Sequence, residues 1–217
     1  MDKLEIKVGA RTTPSPPTPE IRARDGLEFR ERQEGDKTVR TIAGVILYDT
    51  DSEVMQDLWG DEFVEQIAKG AFDRSIRENR ILVLWSHDAR QVLASTSNGT
   101  LRLDNRDDGL HWEADLPDTT AGRDAWESIK RGDVDGVSFG FIARKEKWSK
   151  EDRGEGQKPL YRRTILDADL RELSPVAFPA YPANSVHVRS LDEYRESLLS
   201  AEQEERKRRL SIELELL

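Results

Sequence analysis

Cysteine is absent from this chain of 217 residues. That excludes disulfides, thiolate metal sites and a cysteine nucleophile together, so nucleophilic chemistry falls to an oxygen or a lysine. Histidine is scarce, with 3 residues at no spacing that a metal site uses. No HExxH, GxxxxGK[ST] or GxGxxG string occurs, and neither a metal nor a cofactor is expected. No run approaches the ~18 consecutive apolar residues a membrane helix requires. The opening MDKLEIKVGA lacks the apolar core of a secretory signal, so a soluble, non-exported protein with no membrane partner is expected. Apolar residues make up 36% and charged residues 35%, which is poor in apolar content for a wholly compact chain and implies solvated tails. The 43 acidic and 34 basic residues leave a net charge of −9, mixed along the chain. Phosphate contacts need clustered Lys and Arg, so nucleic acid is not an expected partner.

What is present divides into three parts. Residues 1–20 form an N-terminal tail in which ARTTPSPPTPE places four prolines between Pro14 and Pro19. Proline there favours an extended chain without internal hydrogen bonds. Residues 21–190 form the expected domain, and 191–217 a charged helical tail, where Leu191, Tyr194, Leu198 and Ala201 recur at helical spacing before the wholly polar EQEERKRR. The final SIELELL alternates like a detachable strand or peptide.

Within the domain, Leu27–Arg32 and Thr38–Tyr48 flank EGDK as a hairpin. Ile81–His87, Thr100–Asp104, Leu110–Leu116, Gly136–Trp148 and Leu160–Val176 read as further strands. Two helices are expected, Phe63–Asn79 broken near Gly70, and Thr119–Arg131 with Thr119 or Thr120 as cap. Strands with a few irregularly placed helices indicate an α+β, mainly antiparallel and barrel-like domain with flanking helices.

Strand phase separates the histidines. His111 in GLHWEADL and His187 in SVHVRS lie opposite their apolar neighbours, on solvent faces. His87 in ILVLWSHD follows Ile81, Val83 and Trp85, so it is either a satisfied, partly buried ring or a base at the end of an apolar face. In DGVSFGFIA, Val137, Phe139 and Phe141 form one face, while Ser138, Gly140 and Ile142 form the other. Ser138 is either strand filler or a hydroxyl beside an open spot at Gly140, where a substrate backbone could approach. GVSFG matches the GxSxG nucleophile elbow, but strand-like text continues through Ile142, which disfavours an α/β-hydrolase. In LRELSPV, Glu172 shares its phase with Leu170 and Ser174 and either pairs with an arginine or serves a site. The three segments together offer a nucleophile, a base and an orienting group, although spacing alone does not bring them together.

The order KGAFDRSI, LWSHD, DGL, a helix leading into RGDVDGVSFGF, and LRELSPVAFPAYP resembles the prohead, or capsid maturation, proteases of tailed bacteriophages, over roughly Gly44 to Val188. The resemblance implies a serine endopeptidase with the barrel fold shared with herpesvirus assembly proteases. It makes His87 the general base and Ser138 the nucleophile. The herpesvirus enzymes use a second histidine as third member, and Glu172 takes the comparable place here, with His111, Asp88 and His187 as alternatives. Gly136 and Gly140 mark flexible backbone near an oxyanion site, and Arg171 is a weaker electrostatic candidate. The implied setting is the procapsid in the cytoplasm of an infected bacterium. The implied substrates are scaffold, the scaffolding segment of the major capsid protein and the enzyme itself; the oligomeric state, a homodimer or a higher oligomer among the options, is left open by the sequence. The competing class is a non-enzymatic assembly or scaffolding protein on a degenerate copy of the fold.

Overall fold

The computed structural model describes residues 20–57, 59–154 and 156–177, with scattered helical positions between 194 and 208. The Pro-rich tail, His187 and SIELELL lie outside the described residues.

The chain begins with strand β1 (Glu20–Asp25), followed by the hairpin β2 (Glu28–Glu34) and β3 (Lys37–Leu47). Then come β4 (Met55–Gln56), β5 (Glu62–Ile67) and helix α1 (Asp73–Glu78). The second hairpin is β6 (Leu82–Trp85) and β7 (Asp88–Ser95), and the third is β8 (Leu101–Asn105) and β9 (Gly109–Asp115). Helix α2 (Thr120–Lys130) leads into two long strands, β10 (Gly136–Glu151) and β11 (Leu160–Val176). One sheet runs β2-β3-β9-β8; the other runs β1-β10-β11-β5-β4, with β6 pairing β11 and β7.

The expected hairpin and the α2 helix are present, and Thr119 caps α2 by accepting the Gly122 amide at 3.2 Å. Two expectations are corrected. The described strands form two open sheets, not a closed barrel. The segment 63–67 is a strand, because its Phe63, Val64 and Ile67 are buried where β5 runs parallel to the first half of β11. The helix there shrinks to the single turn and a half of α1. An apolar run of that length fits either period, and pairing to a distant strand decides between them.

The sheets share one core. Ile42, Ile46, Leu110 and Trp112 come from the four-stranded sheet, and Val83, Val137, Phe139, Phe141, Leu170 and Leu173 from the larger one. Phe72, just before α1, meets Phe139 and Phe141 edge-on. This packing anchors one face of β10 and leaves Ser138 and Gly140 on the other, as alternation requires. In the C-terminal helical segment, Tyr194 stacks on Trp148 and meets Tyr161 edge-on, so that part of the tail packs on the domain.

Candidate active site

The β6–β7 hairpin places His87. Trp85 pairs with Asp88, leaving Ser86 and His87 as a two-residue loop. Their φ angles are 48° and 62°, the left-handed region a tight hairpin turn of this length demands. Neither residue is the Asn or Gly that usually occupies it, and such backbone costs about 1–2 kcal/mol per residue. Two hydrogen bonds to β11 hold the turn: the Ser86 amide donates to the Pro175 carbonyl at 3.3 Å, and the His87 amide to Ser174 Oγ at 3.2 Å. The parallel pairing of Leu82 with Glu172 and Val83 with Leu173 brings the hairpin to this end of β11.

The imidazole then meets Glu172. His87 Nδ1 lies 2.7 Å from Glu172 Oε1, and Ser174 Oγ donates to Glu172 Oε2 at 2.6 Å. A carboxylate accepts at both oxygens, which in the neutral ring puts the proton on Nδ1 and leaves the lone pair at Nε2. The bonds close a ring in which Ser174 accepts from the His87 backbone and donates to the carboxylate that His87 itself engages. Among the described residues, His87 Nε2 is buried without a hydrogen-bond partner.

Ser138 lies across the same sheet. In the antiparallel pairing of β10 and β11, Ser138 stands opposite Ser174, and Gly140 opposite Glu172. Directly opposed residues share a face, so the hydroxyl, the carboxylate and the second serine are neighbours there. Ser138 is 0% exposed, and its Oγ donates to the backbone carbonyl of Arg22 in β1 at 2.8 Å. No hydrogen bond between Ser138 and His87 occurs among the described side chains.

The space above Gly140 is filled by Glu172, in place of the approaching substrate backbone that the sequence suggests. A Cβ at position 140 would stand 2.5 Å from Glu172 Oε1 and 3.2 Å from Cγ and Cδ. Gly140→Ala is therefore expected to push the carboxylate off His87 and slow cleavage, by up to the about 10³–10⁴-fold that loss of the orienting carboxylate costs a serine triad. Overpacking should also cost about 1–3 kcal/mol in unfolding experiments. Wild-type cleavage by Gly140→Ala would show that Glu172 need not lie where it does.

The other candidates for the third role sit elsewhere. The side chain of Asp88 is engaged by Arg90 at 2.9 and 3.0 Å and by Gln91 at 3.1 Å. The Arg90 hydrogen bond holds the Asp88 carboxyl well below the usual range. His111 belongs to β9 of the other sheet and pairs with Asp108 at 3.1 Å. Arg171, on the opposite strand phase from Glu172, reaches Asp169 at 3.5 Å. Sequence reasoning assigned no role to Ser174 or to the Arg22 carbonyl. The shared phase of Glu172 and Ser174 was the available signal for the first; the second is a backbone group and has none.

An α+β domain with a hydroxyl and a carboxylate on paired strands, and an imidazole at a hairpin turn bonded to that carboxylate, has the elements of a serine hydrolase. The chain belongs to the caudovirus prohead serine protease family, which matches residues 26–197. Its fold is similar to that of the capsid assembly protease gp21 of bacteriophage T4. The TM-score is 0.51 and the identity 13%, over 76% of this chain and 100% of that one. No curated protein matches the sequence. Membership of the family makes this chain a capsid maturation protease of the serine class. No described helix is long and apolar enough to cross a membrane.

Proposed function

We propose that the chain is a serine endopeptidase that uses Ser138 as nucleophile, His87 as general base and Glu172 as the group that orients and electrostatically supports His87. The observation that carries this reading is the closed hydrogen-bonded ring. It presents Nε2 of His87 as an unpartnered acceptor in a site that also holds a strand hydroxyl. In the reaction, Nε2 takes the Ser138 proton as Oγ attacks a peptide carbonyl, and it returns that proton to the leaving amine. Water then repeats the sequence on the acyl-enzyme. Glu172 keeps the Nδ1 tautomer and offsets the charge of the imidazolium that forms.

The substrates follow from the family's setting inside the procapsid: scaffold or the scaffolding segment of the major capsid protein, and the enzyme's own tails. An extended tail suits a protease groove, since it enters as a strand and gains main-chain hydrogen bonds. Coexpression with the cognate capsid protein, followed by intact-mass analysis of every fragment, tests both substrates at once. A non-enzymatic assembly protein would leave all masses unchanged.

Ser174 is a positioning residue in this scheme. Ser174→Ala leaves Glu172 Oε2 and the His87 amide each without a bond, and kcat is expected to fall about 10–100-fold. KM should be unchanged because Ser174 acts through Glu172 and the His87 turn. An unchanged kcat, or a loss confined to KM, would remove Ser174 from that role.

A further inference from the structure

Ser138 is wholly buried, yet a nucleophile must meet a peptide carbonyl. What covers it is the chain's own first described strand. β1 runs antiparallel to β10 along six residue pairs, with Arg22 opposite Phe139 and Ala23 opposite Ser138. The group that receives the Ser138 hydroxyl proton is the Arg22 carbonyl at 2.8 Å. A carbonyl of an extended peptide is thus already seated at the nucleophile, bonded through its oxygen, while Nε2 of His87 goes without a partner.

We propose that this edge of β10 is the docking edge for an extended substrate segment, and that β1 is its resident occupant, so that Ser138 is reached only after β1 leaves. The inference rests on Ser138 being the nucleophile. Two observations support it beyond the contact itself. Among the described residues β1 is the terminal strand of its sheet, so its departure breaks no described ladder except the one with β10. The part of the chain shared with the protease family starts at residue 26, directly after β1 ends at Asp25. Departure also has to break the ion pairs that hold the strand. The Arg22 guanidinium donates to Glu65 at 2.5 and 2.7 Å and to Glu20 at 3.1 Å, and Arg163 bonds both carboxylates at 2.5 and 2.8 Å. An incoming strand that pairs with β10 replaces the main-chain bonds β1 gives up, which is how strand addition gains affinity. The partner is an extended polypeptide segment lying antiparallel to β10.

Because the chain has no cysteine, Ser138→Cys in the full chain installs a single thiol at the nucleophile position, and its rate of reaction with N-ethylmaleimide reports access without requiring catalysis. Proline at position 23 or 24, made separately, disrupts β1. Successive amides of a strand point to opposite sides, so one of the two removes a donor facing β10. Neither removes a side chain of the buried ion pairs. Ser138→Cys alone should label slowly, and at least one proline variant should label ten-fold faster or more, with the circular dichroism of the domain retained. The same proline in the Ser138 chain should speed cleavage of a capsid-protein peptide. Equal labelling rates in all three chains would overturn the proposal, as would labelling of Ser138→Cys as fast as in denaturant. Faster labelling with no cleavage by any chain would strike the nucleophile assignment, not the shielding by β1.

Discussion

Ser138→Ala is expected to abolish capsid-protein processing while the domain still folds. Removing the nucleophile from a group of residues that act as a unit typically costs about 10⁴–10⁶ in rate, because no neighbour can replace the attacking oxygen. The structural cost is small by comparison. The side chain makes one bond, to the Arg22 carbonyl; alanine keeps the Cβ, so stability should change by about 0.5–1.5 kcal/mol. The gap between those two effects makes the experiment decisive. Coexpression with the capsid protein reads the first, and denaturant unfolding of the isolated variant reads the second. Normal fragments from a folded Ser138→Ala chain would reject the assignment, and an unfolded variant would show that the hydroxyl serves the sheet.

The parts of this site that a sequence reader can see are those governed by strand alternation. In β10, the buried Val137, Phe139 and Phe141 mark their face, and Ser138 and Gly140 must take the other. The same holds for Glu172 and Ser174 in β11. Strand phase points to His87 by continuing the alternation of Ile81, Val83 and Trp85, yet β6 stops at Trp85 and His87 occupies a left-handed turn. Ser-His has none of the Asn-Gly character of such turns. The turn is held by Ser174 and Pro175, nearly ninety residues away, and a contact of that range has no local signature.

The same physics hid β1. EIRARD carries four charged residues and only Ile21 and Ala23 in apolar alternation, so alternation alone does not mark it as a strand. Its place is fixed by pairing with β10 and by Arg22 meeting Glu65 across 43 positions. Buried ion pairs of this kind add little net stability, but they are costly to break singly, at about 3–5 kcal/mol. They specify an arrangement that hydrophobic patterning does not encode. The barrel expectation failed for a related reason: strand content and order were legible, but whether sheets close on themselves depends on pairings such as β6 with β11, which alternation does not reveal.

Glu172→Gln should reduce cleavage by about 10³–10⁴-fold, close to what the corresponding change costs in the serine protease triad. The argument runs through the hydrogen-bonded ring. Glutamine keeps the size of glutamate but replaces one acceptor oxygen with an amide donor. If the amide oxygen faces His87 Nδ1, the ring keeps its tautomer, but the NH₂ group is directed at Ser174 Oγ, which already accepts from the His87 amide at 3.2 Å and loses its own acceptor. The negative charge that supported the imidazolium is also gone. If the amide flips, its NH₂ faces Nδ1, the ring proton moves to Nε2, and the nitrogen that must accept from Ser138 can only donate. Both orientations damage catalysis, while the isosteric side chain still fits over Gly140, so folding should persist. Glu172→Asp retains the charge but shortens the reach across 2.7 Å to Nδ1, and it should lose less activity than the glutamine variant. Cleavage of a capsid-protein peptide under single-turnover conditions ranks the three chains. Glu172→Gln cleaving at the wild-type rate would remove Glu172 from the mechanism and leave His87 to act as a base without a carboxylate partner.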